Sequence, residues 1–380
     1  MINSTELFRP QVRTDIVFGP PMLYGGATVY YIKDTLTGQF YRIGAKEYFL
    51  ISRMDGTRTL EQIEAEYRLT FNRRLSPQSW GQLFSLLNKR SLLVGTTGAN
   101  TLHMLKQEEE KERVRKGSGR LSLAQPDRFL EKILPWLRFA FHPAFVYPAL
   151  AAMLILEVFF FLSVRIAVAE LLPDLGHYFS LSLVLLLGAL VCIFLATHEF
   201  AHGLACKYFG GSVPEIGVIW RAPFLYAYCK IDDVVLFHNR WHRVYTAFAG
   251  IFVNLLMVIP FALLWRFSPE HSLTQVIGAF VLVFVNLFTL ANLIPFVELD
   301  GYLMLKYALN VLDLREHSSR TWYYRIRKGI FKESDNPADL NERSSQRIYL
   351  VYGVCSLIYL LLFVGFLLFL LATLLQRVIT

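Results

Sequence analysis

Apolar positions along this chain fall into two regimes. From about residue 143 onward, long apolar runs alternate with charged loops. Five such runs are legible, at about 143–164, 178–200, 244–265, 272–297 and 348–375. Tyr178 to Thr197 alone is 20 residues without a formal charge, the length a helix needs to cross the hydrocarbon core of a bilayer. Residues 1 to about 100 are mixed instead. Val29–Ile32 and Gln39–Ile43 read as short strands around a Thr37-Gly38 turn, and Ala45–Arg53 as a helix closed by Asp55-Gly56. Thr59 is placed to cap the next helix, with Gln62 at the capping-box position and Leu60, Ile63 and Tyr67 as its apolar face. Ser76-Pro77 opens a third helix through Leu87, and Leu92–Val94 reads as a closing strand.

The pattern predicts an α-helical polytopic membrane protein of about five spans with a small N-terminal α+β, winged-helix-like domain. Its parts are residues 1–100 (the small domain), 101–142 (linker) and 143–380 (membrane domain). The linker opens with a charge run over Leu105–Arg120 and ends in an amphipathic stretch, Phe129–Phe141, carrying Lys132 and Arg138, as an interfacial helix does.

Composition sharpens this picture. The chain is 54% hydrophobic, with mean hydropathy +0.39. Its net charge of +8 belongs to loops at the membrane rather than to nucleic-acid binding. Basic residues number five from Gly203 to Arg243 and nine from Leu303 to Arg347, against none from Ile166 to His177. The positive-inside bias then predicts a multi-pass protein of the cell membrane, N-terminus cytoplasmic and C-terminus outside. The first 20 residues hold Glu6, Arg9, Arg13 and Asp15 and no apolar core of a signal peptide. Four cysteines, Cys192, Cys206, Cys229 and Cys355, show no metal spacing and no disulfide framework.

Candidate chemistry appears at the end of the second apolar run. His198, Glu199 and His202 form a His-Glu-x-x-His pattern. On a helix, its two imidazoles share one face and can hold one zinc. Ionisable groups at membrane depth are costly and mark function. A hydrolytic site needs a third ligand, and Asp300 lies at the inner end of the fourth apolar run, near the same predicted depth. Pro295 interrupts that helix, and Gly301 permits close backbone approach.

These residues resemble the site-2-protease family of intramembrane zinc metallopeptidases. The resemblance covers about residues 178–310. It rests on His198, Glu199 and His202, on Asn292, Pro295, Leu299, Asp300 and Gly301, and on Ala249, Gly250 and Asn254. Val297 and Tyr302 depart from the family pattern without removing a ligand or the base. The resemblance implies one Zn²⁺ per chain, held by His198, His202 and Asp300. It makes Glu199 the general base, and Asn292 or Asn254 a contact to substrate backbone or the oxyanion. It further implies that the segment Val213–Leu236 is an edge β element beside the site; an amphipathic surface loop is the other reading.

The run from Gly38 to Ala45 and that from Met54 to Ile63 resemble the PqqD-like peptide-chaperone domain, over roughly residues 10–95. This implies leader-peptide binding. His238 and His242, also four apart, read as membrane-edge groups among Arg240, Trp241 and Arg243, with a second metal site as the alternative. Glu157 and Arg165 share a helical face and carry no assigned chemistry. The expected activity is an intramembrane zinc endopeptidase, acting on a membrane-associated or peptide-precursor substrate. The alternative is a non-catalytic membrane partner for binding or exporting a modified peptide.

Overall fold

A computed structural model describes residues 8–95, 119–221, 224–331 and 343–379. Most of the charge run after Leu105 lies outside these residues. The chain divides into two compact units, Met1–Gly117 with Asn310–Thr380, and Ser118–Leu309.

In the first unit, strands β1 (Ile16–Phe18), β2 (Met22–Tyr24), β3 (Ala27–Asp34) and β4 (Phe40–Gly44) form an antiparallel sheet. The longest, β3, is central: it pairs β1 through its C-terminal half, β2 through its N-terminal half and β4 along 29–33. Helices α1 (Ala45–Ile51), α2 (Leu60–Phe71) and α3 (Pro77–Lys89) follow.

The expected caps are present. Thr59 Oγ1 accepts from the Gln62 amide at 3.3 Å, and Gln62 Oε1 accepts from the Thr59 amide at 2.9 Å. Ser76 caps α3, and Pro77 sits in the first turn, where no intrahelical donor is needed. Ile32, Ile51, Ile63, Leu87 and Leu92 form a closed core beneath the sheet. The stretch Leu92–Val94 is not a strand: Leu93 makes a single antiparallel bridge to Val12.

Two C-terminal helices, Leu314–Phe331 and Arg343–Ile379, belong to this unit. The β2–β3 turn is tied to them. Leu23 donates to the Asn310 carbonyl at 2.9 Å and accepts from Leu312 at 2.8 Å. The Asp313 carboxylate accepts from the Gly25 amide at 3.0 Å and from the Tyr349 hydroxyl at 2.9 Å. Gly25 has positive φ, and a Cβ there would meet the His317 ring at 2.6 Å.

The second unit carries β5 (Gly119–Ala124), β6 (Glu215–Arg221) and β7 (Phe224–Lys230) as an antiparallel sheet in the order β5-β6-β7. Its helices are α4 (Asp127–Leu137), α5 (Pro143–His177), α6 (Leu181–Tyr208), α7 (Arg240–Phe267), α8 (Leu273–Leu293) and α9 (Asp300–Ala308). As the pattern predicted, α4 is amphipathic: Leu130 is buried, while Glu131 and Lys132 are exposed.

Among the described residues, four helices are long and apolar enough to cross a membrane, within Leu181–Tyr208, Arg240–Phe267, Leu273–Leu293 and Gln346–Phe369. The count rises to five if the pair Asp127–Phe141 and Pro143–Val158, bent by 66°, makes one span. The protein is thus a multi-pass membrane protein with a small strand-containing N-terminal domain.

Helices α6, α7 and α8 pack around Phe194, Val258, Val281, Leu282 and Val285. Close approach of α7 and α8 requires a missing side chain, as is usual where apolar surface alone gives no driving force between helices in lipid. A Cβ at Gly278 would lie 2.8 Å from the backbone nitrogen of Trp265. Gly278→Val is therefore expected to lower stability by about 1–3 kcal/mol through overpacking. The measurement is the thermal midpoint of the detergent-purified protein; an unchanged midpoint would contradict this packing.

Candidate metal centre

Helix α6 is uncharged from Leu181 to Thr197 and starts cleanly, with Ser180 Oγ accepting from the Leu183 amide. Its last turns carry His198 and His202, four residues apart and both buried. Their rings meet edge to face, and their Nε2 atoms lie 3.2 Å apart.

The third group arrives by a chain reversal. Helix α8 ends at Leu293, and Pro295 removes the amide and the φ freedom that would continue it. Gly301 then lets the first turn of α9 press against the end of α8: a Cβ there would lie 2.5 Å from the Leu293 carbonyl oxygen and 2.8 Å from that of Asn292. That contact places Asp300, the first residue of α9, against the histidines. Its Oδ2 is 3.0 Å from His198 Nε2, and its Oδ1 is 3.3 Å from His202 Nε2.

Both imidazoles are oriented from behind by α7. His202 Nδ1 lies 2.8 Å from the Thr246 carbonyl oxygen. A carbonyl only accepts, so Nδ1 carries a proton and the neutral ring keeps its lone pair on Nε2. His198 Nδ1 lies 3.0 Å from Asn254 Oδ1 and is fixed in the same sense. Between these two positions, Gly250 supplies empty space. A Cβ there would lie 2.5 Å from His198 Cε1 and 2.5 Å from His202 Nε2. Thr246, Gly250 and Asn254 are spaced by four, so one face of α7 forms the whole rear wall.

Two imidazole lone pairs and a carboxylate thus converge with no donor among them. Asp300 Oδ2, despite its proximity to His198, has no aligned hydrogen bond. The three ligand atoms lie within 4.8 Å of one another, and the group could hold a metal ion. The donor set, two nitrogens and one carboxylate oxygen, fits such an ion and leaves room for further ligands.

Glu199 is next in sequence but turned off the ligand face. Its carboxylate lies beside the Cys229 backbone on β7. Burial and the neighbouring Glu199 charge push the Cys229 thiol well above its ordinary value, so it stays a neutral thiol beside the ligands. The Asn292 amide donates to the Phe288 carbonyl at 2.9 Å.

The other candidate histidines stay apart: His238 is exposed and His242 stacks on Phe209 at 4.2 Å. Among the described residues, no second group of three metal-ligating side chains converges. Within Val213–Leu236, Glu215–Arg221 and Phe224–Lys230 are paired antiparallel strands, so this part is a β element and not a loop. Residue spacing gave no role to Thr246 or Cys229, because both act through their backbones. No protein-family model, curated protein or solved structure matches the chain.

Gly250→Ala is expected to abolish metal retention while the protein still folds and purifies as a membrane protein. Gly188→Ala, at a position on α6 where a Cβ meets nothing within 4 Å, should leave it unchanged. Metal content per chain by elemental analysis is the measurement, and equal metal in both variants would show that Gly250 does not shape the centre.

Proposed function

We propose that the protein is an intramembrane zinc endopeptidase of the site-2-protease type. The observation that carries this reading is a buried His198–His202–Asp300 group with a carboxylate, Glu199, standing beside it without being one of its ligands. The same donor set also suits Fe(II). Glu199 favours hydrolysis, because a site that only held a metal would have no use for a second carboxylate at that depth.

Zinc in this site would supply Lewis acidity, making water nucleophilic at neutral pH and polarising the scissile carbonyl. Glu199 takes a proton from the attacking water on a carboxylate oxygen and delivers it to the departing amine nitrogen. The water oxygen bonds to the carbonyl carbon as the C–N bond breaks. The Cys229 backbone keeps Glu199 oriented. Asn254 and Thr246 hold the histidine tautomers, and Asn292 remains available to substrate through its carbonyl oxygen.

Strand β7 supports an extended substrate. It lies at the end of the sheet order, next to Glu199, and an unwound peptide adding to its edge would have its backbone hydrogen bonds satisfied during cleavage. The substrate class is a membrane-associated protein or a peptide precursor. With the basic loops inside, the N-terminus and the active centre face the cytoplasm and the C-terminus lies outside.

Glu199→Gln keeps size and hydrogen bonding but accepts no proton. It is expected to retain metal and lose cleavage by at least about 10²–10⁴-fold. Cleavage of a membrane-reconstituted substrate at the wild-type rate would remove Glu199 from the mechanism.

Residues 10–95 are read as a PqqD-like domain that holds a substrate segment and raises its local concentration. A groove of about 800 Å³ between β4 and α3 supports this, lined by Tyr41, Gln78, Gln82, Lys89 and Arg90 among others. Charge reversal at Lys89 tests it without exposing the buried contacts that deletion of the domain would open. Lys89→Glu is expected to raise KM for a long precursor and leave kcat unchanged. An effect equal on a short peptide lacking the leader would refute the tethering role.

A further inference from the structure

A second cavity, of about 410 Å³, lies in the membrane unit, and none of His198, His202 and Asp300 lines it. Its walls come from the 3-10 turn Arg138–Phe141, the first turns of α5, the last residues of α6 and the first three turns of α7. Every one of those elements begins or ends there, so the cavity sits where apolar helices meet water. Its inner wall, with Val146, Leu150, Phe248 and Phe252, runs into the apolar depth.

Lining and rim differ in chemistry. No lining residue carries a formal charge. The rim holds Tyr147, Trp241 and Tyr245, each roughly half exposed or more, as aromatic side chains are at the level of lipid headgroups. Arg138 is exposed two residues before the lining Ala140. Arg240 lies between the lining Asn239 and Trp241, with its guanidinium 5.5 Å from the Trp241 ring.

We infer that this cavity is a binding site for one acyl chain of an anionic phospholipid, with the headgroup phosphate held by Arg138 and Arg240. Water gains little there, because an apolar cavity offers it too few polar partners. A peptide is a poor occupant for a related reason. The walls are helical, their backbone groups are already bonded within the helices, and a peptide backbone would enter without partners. An alkyl chain has no such requirement, and the cationic rim complements a phosphate. The inference needs the protein to be embedded in a membrane; it does not depend on the hydrolytic reading.

The test uses the full chain in maltoside micelles, titrated with phosphatidylglycerol carrying a photoreactive diazirine in one acyl chain. Cross-linked residues are mapped by mass spectrometry. Labelling should saturate at one lipid per chain, fall on residues 140–150 and 241–252, and be competed better by unlabelled phosphatidylglycerol than by phosphatidylcholine of the same chains. Val146→Trp fills the cavity from α5 and should cut this labelling about tenfold, the equivalent of 1.4 kcal/mol. Arg138→Gln changes only an exposed rim residue. It should weaken phosphatidylglycerol binding about fivefold and leave phosphatidylcholine competition unaltered. Labelling that never saturates, or that both variants leave unchanged, would mean annular lipid only and overturn the site. Equal competition by the two lipids would overturn the anionic headgroup assignment.

Discussion

Two imidazole lone pairs and a carboxylate pointed at one buried volume repel each other unless positive charge sits among them. Much of the membrane unit follows from keeping that arrangement in place. The tautomers of His198 and His202 are set by a side-chain oxygen and a backbone carbonyl on α7, so neither ring can turn a proton toward Asp300 without losing a buried hydrogen bond. Such a loss is costly away from water. The rear wall therefore stores the geometry that a cation would otherwise have to impose when it binds.

Small residues make this possible. Gly250 leaves room for two rings, Gly301 lets α9 fold back on α8, and Gly278 brings α7 against α8. Each works through absence of a Cβ, and each brings backbone or ring atoms to a distance no other residue permits. In lipid, where apolar surface gives helices little reason to associate, such close contacts and a few buried polar bonds supply the cohesion. The polar groups of the centre are thus part of what holds the helices together, as well as its chemistry.

Glu199 shows how one residue's offset along a helix separates roles. Its neighbour His198 faces α7 and Asp300; Glu199, about 100° further round, faces the Cys229 backbone on β7. A carboxylate turned toward the strand stands near the ligand face without being one of the three converging groups. In the proposed mechanism it is then free to move protons, and the strand it faces is the one whose edge would receive the substrate.

The sequence determined whatever depends on local periodicity. Apolar runs marked the long helices; Thr59 with Gln62 and Ser76 with Pro77 marked two helix starts; a spacing of four put His198 and His202 on one face. These are short-range consequences of helix geometry and capping, and they need no tertiary partner. The tertiary structure decided the rest. Leu92–Val94 became a bridge because Val12 met it at one position only. The chain after Asn310 packs with the N-terminal sheet through Leu23 and Gly25, bonded to Asn310, Leu312 and Asp313 nearly 300 residues away in sequence, contacts that no periodicity encodes. Asp300 reached the histidines from the start of a new helix, through a reversal whose tightness depends on atoms of Leu293 and Asn292. Thr246 and Cys229 serve through main-chain groups, which are the same in every residue and so leave no mark in the sequence; only the fold selects which of them face the centre.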